Sequence, residues 1–157
     1  MTRTGIGYDS HRFGPGSALR LGGVTIPFDK ALTGHSDGDA VAHAVTDAVL
    51  GAAAAGDIGH HFPDTDPIWE GADSTTLLAR VVVMADEQGY AALNADCTVV
   101  ADTPRLAPYT DAMTARLSEV LGAPVSVKAS RAEGLGALGR AEGIACFATV
   151  LMGPVPA

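Results

Sequence analysis

The chain has 157 residues and a formal net charge of −8 at pH 7, with 47% hydrophobic and only 5% aromatic residues. That length predicts one domain over residues 1–157, large enough for a core without staples. The acidic balance, with Lys30 and Lys128 the only lysines, and the scarcity of aromatics exclude a nucleic-acid partner, which needs cationic surface and rings to stack on. A small anionic ligand stays open, since a few arginines and a metal suffice for it. Cys97 and Cys146 fall in apolar, strand-like runs and read as buried free thiols, and with no Cys-x-x-Cys there is no thiolate zinc site. No run approaches membrane-spanning length and Met-Thr-Arg-Thr-Gly is no signal sequence, so the expectation is a soluble, cytoplasmic chain without a membrane partner.

In chain order, residues 3–9 alternate and read as a strand continuing to about His11, followed by a turn at Gly14-Pro15-Gly16. Residues 20–26 form a second extended segment with a break at Gly22-Gly23. His35-Ser36-Asp37-Gly38-Asp39 then opens a helix that runs to about Ala55 on an apolar stripe from Val41 to Ala52. Ser36 or Asp37 can cap it, Asp39 has capping-box spacing from Ser36, and Gly56 is the expected stop. Residues 57–72 show no periodicity and read as a long functional loop. A helix follows from the Asp73-Ser74 cap to Gln88, then a strand at Ala95–Val100 and a third helix at Pro104–Leu121. Strands at Val125–Ser130 and Ile144–Met152 close the chain, the last apolar enough to be buried on both faces, with a flexible glycine-rich connection at 133–139 between them. The order β, β, α, α, β, α, β, β predicts an α/β sandwich, a mixed sheet with helices on one face. A doubly wound nucleotide fold is disfavoured, because no G-x-G-x-x-G opens a helix after a strand.

All five histidines lie within the first 61 residues, so any imidazole site belongs to the N-terminal half. Residues two apart on a strand share a face, which sets Asp9 beside His11. His43, on the helix, is the third candidate ligand. Three such ligands leave a tetrahedral zinc one open position, with Asp47 one turn along to orient His43. The competing reading makes His43 a satisfied core histidine and Asp9 a turn-former, and spacing alone does not separate the two. His35 before the helix suits a phosphate contact, with Ser36 and the helix start holding the anion. His60 and His61 read as solvated loop residues, and Asp57, Asp64 and Asp66 either as site carboxylates or as turn-formers. Thr103-Pro104-Arg105, at a strand-to-helix junction, offers amides and a guanidinium to a nucleotide phosphate, and Lys128, Arg131 and Arg140 suggest a second anion contact.

Gly5-x-Gly7-x-Asp9-x-His11-x-Phe13, His35-Ser36-Asp37-Gly38-Asp39 with His43, Asp57-Ile58-Gly59 and Phe62-Pro63-Asp64-Thr65-Asp66-Pro67 together resemble the 2-C-methyl-D-erythritol 2,4-cyclodiphosphate synthase family, in order and spacing from residue 5 to about 152. The resemblance implies a homotrimer with active sites between subunits. It implies the non-mevalonate isoprenoid pathway, in which 4-diphosphocytidyl-2-C-methyl-D-erythritol 2-phosphate cyclises and releases CMP. It also implies one zinc per subunit on Asp9, His11 and His43, and a second divalent cation, magnesium or manganese, on the substrate diphosphate. His35 would be catalytic, with Ser36 on phosphate. Asp57, Ile58, Gly59, Phe62, Pro63, Asp64, Thr65 and Asp66 would line the methylerythritol and diphosphate region. Ala101, Asp102, Thr103, Pro104, Arg105, Leu106 and Ala107 would hold the cytidine.

The C-terminal motif departs from the family pattern. The usual threonine run is Ser130-Arg131-Ala132 here, and Leu138 replaces the threonine before Gly139-Arg140. Arg131 thus stands where a catalytic hydroxyl is expected, among the substrate-binding positions Ser130, Ala132, Glu133, Ala137 and Arg140. Arg140 and Glu142 are implied to lie near a trimer axis whose cavity takes isoprenoid diphosphates. The alternative is a zinc-binding trimer that binds nucleotide or isoprenoid diphosphate with little or no turnover. A phosphohydrolase using zinc-bound water is a third reading.

Overall fold

A computed structural model describes residues 1–155. The chain runs β1 (Arg3–Gly14), β2 (Ala18–Leu21), β3 (Val24–Pro27), β4 (Ala31–Leu32), α1 (Ala40–Ala53), α2 (Ile58–His61), α3 (Ser74–Glu87), β5 (Tyr90–Val100), α4 (Thr110–Leu121), β6 (Val125–Ser130), α5 (Gly136–Gly139) and β7 (Gly143–Pro154). Five strands form one sheet in the order β4-β1-β7-β5-β6, and β2 and β3 form a separate hairpin. All pairings in the large sheet are antiparallel except β5 with β6, so the sheet is mixed as expected.

Helix α1 packs on β1 and β7 and is buried on nearly every side, Ala and Val supplying the small side chains that close packing requires. Its approach to β1 is closer than any Cβ permits. A side chain at Gly5 would begin 1.8 Å from the Ala48 carbonyl oxygen, and one at Gly7 1.8 Å from that of Ala44. The two glycines therefore let the strand carrying Asp9 and His11 touch the helix carrying His43. α3 packs on α1, and α4 lies against β6, completing the helical layer. The opposite face of the sheet is open: Ile6 is 71% exposed, Tyr8 53% and Phe147 47%, with the Tyr8 and Phe147 rings 5.0 Å apart. The burial of β7 on both faces is therefore overturned. Its alternate residues Ile144, Cys146, Ala148, Val150 and Met152 are buried beneath the helices, while Phe147 points out.

Several boundaries move for local reasons. β1 continues to Gly14 because it gains β4 as a partner beyond β7. Neither Ser36 nor Asp37 caps α1. Asp39 does, and it is fully buried, its carboxylate accepting from Val41 and Ala42 in the helix and from Gly22 and Gly23 in the β2–β3 turn, at 2.7–3.1 Å. Both turn glycines have positive φ, +55° and +73°, which a tight hairpin of this kind requires. At the other end α1 stops at Ala54, itself left-handed at φ 58°, two residues before Gly56. The 57–72 segment contains α2, capped by Asp57, and a 3-10 turn at Pro67–Trp69 capped by Asp66. The third helix begins at Thr110 rather than Pro104, because a 3-10 turn fills Ala107–Tyr109 ahead of it. The glycine-rich 133–139 segment includes the short α5. Cys97 and Cys146 are buried and free, and contact with Cys97 together with burial pushes the Cys146 thiol up.

Candidate active site

β1 and α1 bring Asp9, His11 and His43 into one cluster. His11 Nε2 lies 2.8 Å and His43 Nδ1 2.9 Å from the same oxygen, Asp9 Oδ2, and the two nitrogens are 3.2 Å apart. Ligands of a tetrahedral zinc at ~2.0–2.1 Å are separated by roughly 3.3 Å. The triangle therefore fits one such ion to within about half an ångström on every edge, and its donors are the nitrogen and oxygen types zinc takes. The Thr33 carbonyl, which only accepts, lies 2.7 Å from His11 Nδ1 and takes the hydrogen bond from that nitrogen, so Nε2 is the nitrogen turned to Asp9 and the one a metal would use. Electrostatics agree with the geometry. Burial pushes Asp9 up, but the bonds and positive charge of His11 and His43 outweigh it and hold the carboxyl at about 2. Burial pulls His11 down, and the Asp9 bond and charge together with the Thr33 carbonyl more than reverse this. His43 is buried and has hydrogen-bond partners on both ring nitrogens, as the core-histidine reading requires, and its Nδ1 also faces two other ligand-type side chains, as the ligand reading requires.

The far edge of His43 corrects another expectation. Its Nε2 lies 2.8 Å from Ser74 Oγ and 2.9 Å from Ser36 Oγ, while Asp47 instead accepts from the Ile58 amide at 2.8 Å. Asp47 thus steadies α2 rather than His43, and burial raises its pKa. The first-turn amides of α1 are also unavailable to an anion, because the Asp39 carboxylate takes them.

A cavity of about 370 Å³ opens beside the cluster, with His11, His35, Ser36 and His43 on one side and Ile58, Gly59, Phe62, Pro63 and Asp64 on the other. His35 Nε2 meets the Asp66 carbonyl at 3.1 Å, tying the loop before α1 to the loop after α2. Asp57 and Asp66 serve as caps outside the lining, and Thr65 is exposed outside it too. Sequence reasoning missed Ser74, Trp69 and Leu77. Trp69 and Leu77 wall the cavity, Trp69 packing edge-on against Phe62 at 5.0 Å beneath the Arg80 guanidinium. The apolar residues of the 57–72 loop and the Asp73-Ser74 cap were the signals available.

A second cavity, about 420 Å³, lies at the β5–β6 end and is lined by Ala101, Asp102, Pro104, Arg105, Leu106, Ala107, Ala129, Ser130 and Arg131. It shares no residue with the first. Asp102 holds the loop behind it, accepting from the Ala132 amide at 2.7 Å and the Gly134 amide at 3.1 Å. Thr103, Ala132, Glu133, Ala137 and Arg140 are not in its lining. The expected Lys128, Arg131 and Arg140 cluster does not form: Lys128 pairs with Asp96 and Arg140 with Glu142, leaving Arg131 at the cavity.

The sequence profile of the YgbB family matches residues 2–153. A curated 2-C-methyl-D-erythritol 2,4-cyclodiphosphate synthase of Laribacter hongkongensis is 56% identical over 96% of this chain and 94% of its own length. Among solved structures, the bifunctional IspDF of Campylobacter jejuni superposes with a TM-score of 0.95 at 39% identity. It covers 99% of this chain, which spans 43% of that longer protein. The IspF of Plasmodium falciparum, solved as a CDP complex, gives 0.85 at 32% identity over 99% of this chain and 97% of that one. No helix among the described residues is long and apolar enough to cross a membrane.

Proposed function

The chain belongs to the YgbB family, a family of enzymes, and on that premise we propose that it converts 4-diphosphocytidyl-2-C-methyl-D-erythritol 2-phosphate into 2-C-methyl-D-erythritol 2,4-cyclodiphosphate and CMP. The observation that carries the reading is the Asp9, His11 and His43 triangle opening on a cavity of substrate-fragment size. In the reaction an oxygen of the 2-phosphate attacks the β-phosphorus. The bond from that phosphorus to the bridging oxygen breaks, and CMP departs with the electron pair. Both reacting groups belong to one molecule, so holding it folded supplies much of the rate.

Asp9, His11 and His43 would hold zinc, which when bound supplies Lewis-acid stabilisation of phosphoryl charge. A magnesium or manganese ion arriving with the substrate diphosphate belongs to the same reading. His35 and Ser36 face the cavity and would donate to phosphate oxygens, while Phe62, Pro63 and Trp69 exclude water from the methylerythritol carbons. Ala101 to Ala107 and Ser130-Arg131 would receive the cytidine, as the CDP complex of the Plasmodium falciparum relative supports. Within one chain the two cavities share no wall, and the exposed face with Ile6, Tyr8 and Phe147 is apolar. Both features favour a homotrimer of one-domain subunits (residues 1–157) in which neighbouring copies complete each site.

The test is CMP release from the cytidyl substrate by metal-replete protein, with the cyclic product identified. One CMP per cyclic diphosphate is expected, abolished by chelation and by His43→Ala. Zinc-loaded protein that releases no CMP, or that yields inorganic phosphate instead, refutes the proposal.

A further inference from the structure

We propose that Asp37 and Ser74 are positioning residues: a two-step hydrogen-bond relay that fixes the proton of His43 on Nε2 and so turns Nδ1 toward the metal. The inference rests on the zinc reading above and concerns residues that do not touch the metal themselves. Ser74 sits in the first turn of α3 and is fully buried. Its Oγ has three neighbours: Asp37 Oδ1 in a short bond, His43 Nε2 at 2.8 Å and Ser36 Oγ at 3.3 Å.

Proton inventory decides the direction. The Asp37 carboxylate is an acceptor only, and it already takes the backbone amides of Ser74 and Asp39, each at 3.1 Å. The single Ser74 hydroxyl proton therefore points to Asp37. Ser74 is left with lone pairs facing His43, and Nε2 must carry the hydrogen between them. Without metal Nδ1 also shares a proton with the Asp9 carboxylate 2.9 Å away. When a metal takes the place of that proton the imidazole is neutral, and the proton kept on Nε2 leaves the lone pair on Nδ1, which faces Asp9 and lies 3.2 Å from His11. The Thr33 carbonyl does the opposite for His11, so the two imidazoles are set in opposite tautomers and both lone pairs converge.

The relay has a fixed outer end. The Arg20 guanidinium, on β2, lies 3.8 Å from Asp37 Oδ2 and bonds Asp73 at 3.1 Å, so the carboxylate is held between the hairpin and α3. Ser36 Oγ, 2.9 Å from Nε2 and 3.3 Å from Ser74 Oγ, can give its proton to Ser74 or turn it toward the cavity. Orientation of a ligating imidazole by an outer acceptor is worth roughly 10–100-fold in metal affinity.

The experiment measures zinc affinity by competition with a chromogenic chelator, and the cobalt(II) ligand-field spectrum, for wild type, Ser74→Ala, Asp37→Asn and the double variant. Urea midpoints of the metal-free forms identify any variant that does not fold. Each single change is expected to weaken zinc roughly 10–100-fold and alter the cobalt bands. The double should be no weaker than the worse single, because the two residues act in series. Wild-type affinity and spectrum in both folded singles, or a double variant showing the product of the two losses, overturns the relay. The outcomes separate from those of the reaction: a wild-type chain that binds zinc and shows these losses but releases no CMP keeps the relay and loses the activity. A wild-type chain that binds no zinc loses the relay.

Discussion

Replacing Gly7 with alanine tests whether the strand-to-helix contact sets the metal triangle. The added Cβ would start 1.8 Å from the Ala44 carbonyl oxygen and 2.9 Å from the Ala48 amide nitrogen, both backbone atoms of α1. Reaching ordinary contact at 3.4 Å lifts the helix locally by about 1.6 Å. Overpacking a core costs ~1–3 kcal/mol when side chains can yield. Backbone yields less, so the expected loss is about 3 kcal/mol or more of a total stability on the order of 5–15 kcal/mol. His43 precedes Ala44, and Asp9 lies two residues along the same strand face. The lift therefore draws His43 Nδ1 away from Asp9 by several times the ~0.2 Å that a metal bond tolerates. Urea unfolding of the metal-free protein, followed by the fluorescence of the single tryptophan, Trp69, reads the first effect, and zinc competition reads the second. Gly5→Ala is the companion: its Cβ meets the Ala48 carbonyl at the same 1.8 Å, one turn further from His43. It should cost similar stability but less zinc affinity. A Gly7→Ala protein with wild-type midpoint and wild-type affinity would refute the reasoning.

Arg131→Ala should leave the urea midpoint within about 0.5 kcal/mol, as an exposed side chain does, while lowering kcat/KM for CMP release roughly 10–100-fold through loss of a charge-assisted bond to the substrate. A faster Arg131→Thr enzyme would show instead that the guanidinium obstructs. The metal-free protein should lose stability toward acid. Asp9 is held at about 2 against an ordinary 3.8, so its contribution is complete above 3.8 and lost as pH falls through 2, up to ~2.5 kcal/mol. The His11 side of the same pair has the opposite sign: its pKa is raised, so its contribution is complete below 6.5 and disappears as pH rises through the raised value. Urea midpoints across pH should thus peak between these limits, and Asp9→Asn should flatten both limbs. A profile unchanged by that substitution would remove Asp9 from the cluster's energetics.

The fold was legible where one face of an element is buried. β6 has the expected limits, and α3 starts where its Asp73 cap predicts. Alternation put Asp9 and His11 on one side of β1, where they stand. Legibility ended where a distant partner decides the geometry. Asp39 outcompetes Ser36 and Asp37 as the cap because Gly22 and Gly23, seventeen and sixteen residues away, need the same carboxylate. The extension of β1 to Gly14 depends on Leu32 and Ala31, which no local pattern joins to it. Glycine is misleading in both directions: Gly56 reads as the helix stop but Ala54 takes the left-handed cap, and the contacts that need Gly5 and Gly7 involve a helix some forty residues on.

The same division runs through the site. Residue type and spacing identify Asp9, His11 and His43 as ligand candidates, but only their placement shows that the two imidazoles turn different nitrogens to Asp9, Nε2 of His11 and Nδ1 of His43. That choice is made by atoms carrying no metal-binding signature, a main-chain carbonyl at Thr33 and a hydroxyl at Ser74. In the sequence Ser74 reads as helix punctuation, and as the first residue of α3 it fulfils that role too. Its second role exists because α3 packs on α1, which sets the Ser74 hydroxyl between Asp37 and His43. On the relay proposed above, the packing of two helices sets where a proton sits, and that proton sets which nitrogen would bind a metal. A substitution that shifted α3 without touching any ligand should for that reason weaken the metal before it disturbs the cavity walls.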